Sequence, residues 1–106
     1  MNLKILLSPF LLCVYLAQPV TGQTIYGQPD CGEWLTNRSS YEKGWLLGYM
    51  SGLSSMHDLN KRPGDPLDKI TSPNQIYIWM DNYCRKNPLQ KIGNGGVSLF
   101  IELMNK

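Results

Sequence analysis

From Tyr41 to Leu59 the chain reads YEKGWLLGYMSGLSSMHDL, and its apolar residues recur at helical spacing on two adjoining strips. Tyr41, Trp45, Tyr49, Gly52 and Met56 make one strip, and Leu46, Met50 and Leu53 the other. A helix apolar over so much of its circumference is predicted to sit in the middle of a bundle. Ser39 with Glu42 three residues on is a capping box that opens it. The stretch between Lys43 and His57 is too short to cross a bilayer. Gly44, Gly48 and Gly52 repeat every four residues along it. Each glycine costs about 1 kcal/mol of helix propensity relative to alanine. The strip therefore predicts close packing of another helix or a bulky aromatic, inside the domain or across a dimer interface.

The same periodicity places three further helices. Asp30 and Glu33 form a capping box behind Pro29, so a short helix begins at Cys31 with Cys31, Trp34 and Leu35 on its inner face. Ser72, Pro73 and Gln75 combine an N-cap, a proline at the first helical position and a capping-box glutamine. On the helix they start, Ile76, Trp79, Met80, Tyr83 and Cys84 share one face, and Tyr77, Asp81 and Arg85 lie elsewhere. Asn87 and Pro88 end it. The run GNGG, Gly93 to Gly96, is expected to interrupt any helix. Val97 to Met104, VSLFIELM, then reads as a closing helix, with a short strand left open by its eight residues. Between these elements, residues 23–29 read as an extended lead-in. Residues 60–71, NKRPGDPLDKIT, read as a surface loop in which Lys61, Arg62, Asp65 and Asp68 are candidate partner contacts. The expected fold is all-α, a small four-helix domain.

The amino terminus changes the setting. Lys4 followed by an apolar run from Ile5 to Leu16 and small residues before Gln23 is the make-up of a secretory signal peptide, with cleavage after Gly22. The run is shorter than the roughly 20 residues of a membrane span. Leu12 before Cys13 stands where a lipid-modified cysteine normally has a small residue. The expectation is residues 1–22 as signal and residues 23–106 as one exported domain, and 106 minus 22 leaves 84 residues. Cys31 and Cys84 are then an even pair in an oxidising compartment and are expected to form a disulfide. A staple across 53 positions is worth roughly 4 kcal/mol in the chain-entropy model, a large share of so small a domain's stability.

Charge and side-chain chemistry narrow the function. Without Lys4 the domain carries nine basic and eight acidic residues, a net +1 that gives no basic face for nucleic acid. One histidine, His57, beside Asp58 in SSMHDLNK, reads as a helix-end residue. With both cysteines in a disulfide, it leaves no zinc set and no nucleophile, base and oxyanion constellation. No enzyme activity, metal or cofactor is expected. NRS at Asn37 to Ser39 is a glycosylation acceptor only in a eukaryotic secretory route. Tyr77 and the tryptophans leave a glycan-binding reading open, although aromatics at helical spacing are usually core.

The segments CGEWL, GWLLGYMSGL and WMDNYCRKNPL, in that order and spacing, resemble a group of small exported bacterial proteins similar to the HdeA/HdeB acid-stress chaperones. They resemble the Rap1a/Tai immunity proteins more loosely. The likeness covers roughly residues 30–104 and rests on cysteines, glycines and aromatics, which speak to fold more than to function. The HdeA resemblance implies a periplasmic, disulfide-linked helical protein, dimeric at neutral pH, that binds unfolding clients once acid exposes its apolar surface. Cys31 and Cys84 match its disulfide. The Rap1a/Tai resemblance implies a small, often dimeric periplasmic partner that plugs a cell-wall-degrading effector. Two features depart from these groups: further cysteines near the carboxyl end are missing, and GNGG interrupts the expected last helix. The resulting expectation is a periplasmic, non-enzymatic protein-binding domain. Its partner is an unfolding client or a specific effector, homodimerisation stays open, and no membrane span remains after cleavage.

Overall fold

The computed structural model describes residues 24–106, so the stretch read as a signal peptide, residues 1–22, lies outside the described residues. Four helices follow in order: α1 (Cys31–Asn37), α2 (Ser40–Leu59), α3 (Pro73–Lys86) and α4 (Ile92–Met104). A single 3-10 turn, Pro66–Lys69, interrupts the α2–α3 connection. Extended pairing among the described residues is confined to one antiparallel bridge, Asp30 with Lys91. The domain is all-α, and Val97 to Met104 is helix.

The caps form where the sequence placed them. Asp30 Oδ1 accepts the Glu33 amide at 2.7 Å while Glu33 Oε1 accepts the Asp30 amide at 3.1 Å. Ser39 and Glu42 reciprocate in the same way at α2. Gln75 Oε1 reaches back to the amides of Thr71 and Ser72, at 2.7 and 3.4 Å, in front of Pro73. Each box satisfies amides that the first helical turn leaves without partners.

Packing runs α1 on α3, α2 on α4, and α3 on α4. The core is Cys31 and Trp34 of α1, Leu46 and Met50 of α2, Ile76, Met80 and Cys84 of α3, and Ile92, Leu99, Phe100 and Leu103 of α4. Cys31 and Cys84 form the disulfide, with Cα atoms 5.0 Å apart. The chain just before α1 also pairs with the α3–α4 connection. The Cys31 amide donates to the Gln90 carbonyl at 2.8 Å and the Ile92 amide to the Pro29 carbonyl at 3.1 Å.

Four expectations need correction. GNGG does not break the last helix but forms its first turns, so α4 runs unbroken from Ile92 to Met104. The reason is room. A Cβ at Gly95 would sit 2.6 Å from Met80 Sδ and 2.8 Å from Tyr83 Cδ2, and one at Gly96 3.1 Å from Tyr49 Cδ2. At Gly93 it would fall on the Gln28 side chain, whose Oε1 accepts the Gly93 amide at 2.8 Å. The glycines let α4 approach α3 and α2 more closely than any side chain would permit, which offsets their poor helix propensity. Second, α2 is not central: only Glu42, Leu46 and Met50 are buried on it. Third, Gly44, Gly48 and Gly52 are exposed, and a Cβ at any of them would meet nothing within 4 Å, so they make no close packing among the described residues. Last, Leu35 turns outward instead of sharing the inner face of α1, leaving Cys31 and Trp34 there.

Candidate functional site

The outward side of α2 follows from its cap and its period. Burying Glu42, Leu46 and Met50 turns Tyr41, Gly44, Gly48, Ser51, Gly52, Ser55, Met56 and Leu59 toward solvent. No charged side chain interrupts that set until Asp58 at its edge. Tyr41, Met56 and Leu59 are 56, 55 and 72% exposed, which is unusual for large apolar groups on one helix. The lead-in segment borders this face. Trp45 Nε1 donates to the Tyr26 carbonyl at 2.9 Å, and Tyr41 Oη donates to the Gly27 carbonyl at 2.5 Å. Gly27 has φ +67°, a left-handed turn that glycine takes without a Cβ clash. Between lead-in and helix lies a groove of about 450 Å³, floored by Gly44 and Gly48 and walled by Ile25, Tyr26, Trp45 and Tyr49. Trp45 and Tyr49 stack with ring centroids 5.0 Å apart.

The loop of candidate contacts is more ordered than a plain surface loop. Asp65 caps the 3-10 turn, accepting the Leu67 amide at 3.0 Å and the Ser54 hydroxyl at 2.9 Å, so its carboxylate is committed to the fold. Lys69 Nζ donates to the Leu103 carbonyl at 2.5 Å, placing a cation at the end of α4 where the helix dipole favours it. His57 Nε2 lies 3.1 Å from the Pro63 carbonyl oxygen and therefore donates to it, with the ring edge-on to Phe100. His57 thus ties the loop to the end of α2. Lys61, Arg62 and Asp68 remain exposed, and Arg62 and Asp68 border a groove of about 430 Å³ together with His57 and Met104. Lys61 sits at φ +56°, a left-handed position that costs a residue with a Cβ roughly 1 kcal/mol. The structure thus brings Arg62, Asp65 and Asp68 to one groove and leaves Lys61 beside it.

Sequence reasoning missed the polar joint between α1 and α3. Asp81 accepts the Trp34 indole N–H at 2.8 Å on one oxygen and an Arg38 N–H at 2.5 Å on the other. The Arg38 guanidinium also lies 5.7 Å over the Trp34 ring and 6.0 Å over Tyr77. Burial by itself would raise the pKa of Asp81. The hydrogen bonds from Arg38 and Trp34, with the charges of Arg38 and Arg85, outweigh it and hold the carboxyl below its usual value. Glu42, buried at the start of α2, is also held low, first by the Ser39 hydroxyl and then by the Ser39 amide. An aspartate in mid-helix, where it gains nothing from the helix dipole, was the available signal.

No group of three or more histidine, cysteine, aspartate or glutamate side chains that could hold a metal occurs among the described residues. No described helix is long and apolar enough to cross a membrane. Comparison with protein-family models, with curated proteins and with solved structures finds no match to this chain.

Proposed function

We propose that this protein is a non-enzymatic, exported protein-binding domain that works in the periplasm as an acid-responsive chaperone of the HdeA-like kind. The observation that carries the binding part is the uncharged outward face of α2, with exposed Tyr41, Met56 and Leu59 around the open glycine strip. Such a face suits the irregular apolar segments of an unfolding protein, because methionine and small residues adapt to many shapes. The acid response rests on Asp81 and Glu42. Both carboxylates sit in contacts that favour the ionised form, so protonation weakens the hold of α1 on α3 and the start of α2.

A second reading, an immunity protein that plugs a cell-wall-degrading effector, draws on the loop. Lys61 is held in a conformation that favours glycine. Strain kept at an exposed position is a common mark of a residue retained for contact.

One experiment separates the two. The oxidised domain is mixed with an aggregation-prone periplasmic client at about pH 2 and neutralised, with light scattering and the protein's own near-ultraviolet circular dichroism followed together. Suppressed scattering with lost tertiary signal supports the chaperone. A protein that stays folded and protects nothing rejects it and leaves the effector partner.

A further inference from the structure

Away from the outward face of α2, the seam between α3 and α4 holds two adjoining grooves. One, of about 300 Å³, is lined by Trp79, Asn82, Tyr83, Lys86, Asn87 and Glu102. The other, of about 220 Å³, shares Trp79 and Glu102 with it and reaches Gln75 and Lys106. The Trp79 indole N–H donates to Glu102 Oε1 at 3.3 Å across the seam. Its ring stacks on Tyr83, with centroids 5.6 Å apart and planes 12° from parallel, and both rings are half-buried.

The polar groups around this aromatic wall are only partly used. Asn82 Oδ1 accepts from Arg85 at 2.9 Å, which leaves the Asn82 amide N–H groups to donate. Asn87 Nδ2 donates to the Tyr83 carbonyl at 2.9 Å, which leaves Asn87 Oδ1 to accept. Glu102 pairs with Lys106 at 3.5 Å, whereas Lys86 has no ion-pair partner among the described residues.

A ligand for this seam needs an apolar face for the rings and a rim of hydroxyls for the amides and the carboxylate. A hydrocarbon would strand those polar groups without partners, at a cost for each. A pyranose has both parts, because its C–H face is weakly positive and lies favourably on the electron-rich face of an aromatic ring. Two adjoining grooves ask for at least two linked rings, and the Lys86 ammonium, without an ion-pair partner among the described residues, asks for a negative charge on the ligand.

We propose that the α3–α4 seam binds an acidic oligosaccharide. One pyranose lies on the Trp79–Tyr83 wall, its hydroxyls meet Asn82, Asn87 and Glu102, and a carboxylate of the sugar pairs with Lys86. The next ring occupies the groove beyond Trp79, toward Gln75.

The test is a titration of the isotope-labelled, disulfide-bonded domain, followed by amide and indole resonances. The probes are uronate oligomers (galacturonate, mannuronate and glucuronate-containing fragments) alongside their neutral galactose, mannose and glucose counterparts. The expected result is saturable shifts of the Trp79 indole and of the Asn82 and Asn87 side-chain amides by at least one uronate oligomer, with a dissociation constant near millimolar. Lys86→Ala, at an exposed position, is expected to weaken that binding roughly three- to fivefold, the scale of one exposed ion pair, with the domain still folded and its melting temperature lowered by no more than a few degrees through the lost cation at the end of α3. Asn82→Ala is expected to weaken acidic and neutral oligomers alike. Absence of any saturable shift at Trp79 up to about 20 mM, far weaker than a working site, overturns the proposal. So do shifts confined to other parts of the molecule, or equal affinity for acidic and neutral oligomers that Lys86→Ala leaves untouched.

Discussion

Gly44, Gly48 and Gly52 on α2 and Gly93, Gly95 and Gly96 on α4 place the same residue in two helices, in opposite surroundings. A methyl group added to the first three meets nothing within 4 Å, whereas one added to Gly95 lands on Met80 and Tyr83. Both helices carry the same propensity cost. On α4 that cost is offset by the close approach of α3 and α2. On α2 nothing among the described residues offsets it. Glycine spacing in a sequence therefore reports that a surface is flat, and only the fold tells whether the flat surface is occupied.

The comparison can be tested through the closed side first. Replacing Cys31 and Cys84 together by serine is expected to lower stability by roughly 4 kcal/mol in the chain-entropy model, read by denaturant unfolding. A midpoint equal to that of the oxidised wild type would show that the α1–α3 side does not depend on its staple. Next in size is Gly95→Ala, where the added Cβ has no space and overpacking is expected to cost about 2 kcal/mol.

A smaller effect lies in the α1–α3 joint. Asp81→Asn is expected to cost on the order of 1 kcal/mol near neutral pH, because the pair with Arg38 is partly exposed and screened. The carboxyl pKa is depressed in the fold, so its contribution is full above the unfolded value of about 3.9 and drains away as pH falls through the folded value. Wild-type stability is thus expected to fall more steeply than that of Asp81→Asn below about pH 4, and parallel curves would remove Asp81 from the acid response.

The smallest effect has the opposite sign. Gly48→Ala is expected to raise the stability of the domain by up to about 1 kcal/mol, since the new methyl group meets only solvent. If the outward face of α2 is the binding surface, the same substitution weakens client protection. A loss of stability instead would mean that the strip is already covered in solution.

Local chemistry was the most legible part of this protein. Asp30 with Glu33, Ser39 with Glu42, and Ser72-Pro73 with Gln75 each mark a helix start within a few residues, because capping depends only on neighbours along the chain. Cys31 and Cys84 were legible as a pair because few cysteines were available to choose from. What failed was anything that depends on the neighbour across the fold. GNGG looks like a breaker until Met80, Tyr83 and Tyr49 are seen pressed against it. The aromatic strip of α2 looks central until α4 is seen to cover the Leu46 and Met50 side and only the Trp45 and Tyr49 edge of the strip, leaving Tyr41 and Met56 exposed. Asp81 looks like one more surface carboxylate until Trp34 and Arg38 are brought to it from residues more than 40 positions away. On the candidate loop, the charges of Lys61, Arg62, Asp65 and Asp68 were visible, but not that Asp65 is committed to capping.

The backbone pairing of residues 29–31 with residues 90–92 has a consequence for the order of assembly. α1 is seven residues long, too short to hold itself as an isolated helix. Its supports, Gln90, Asp81 and Cys84, belong to the last third of the sequence. As the chain is synthesised, the first helix among the described residues therefore waits for some of the latest residues. Residues 31–37 are thus among the last to become ordered, and a chain that stops short of Gln90 leaves Cys31 without that backbone partner. Ring closure of this kind slows folding while adding little to the final energy.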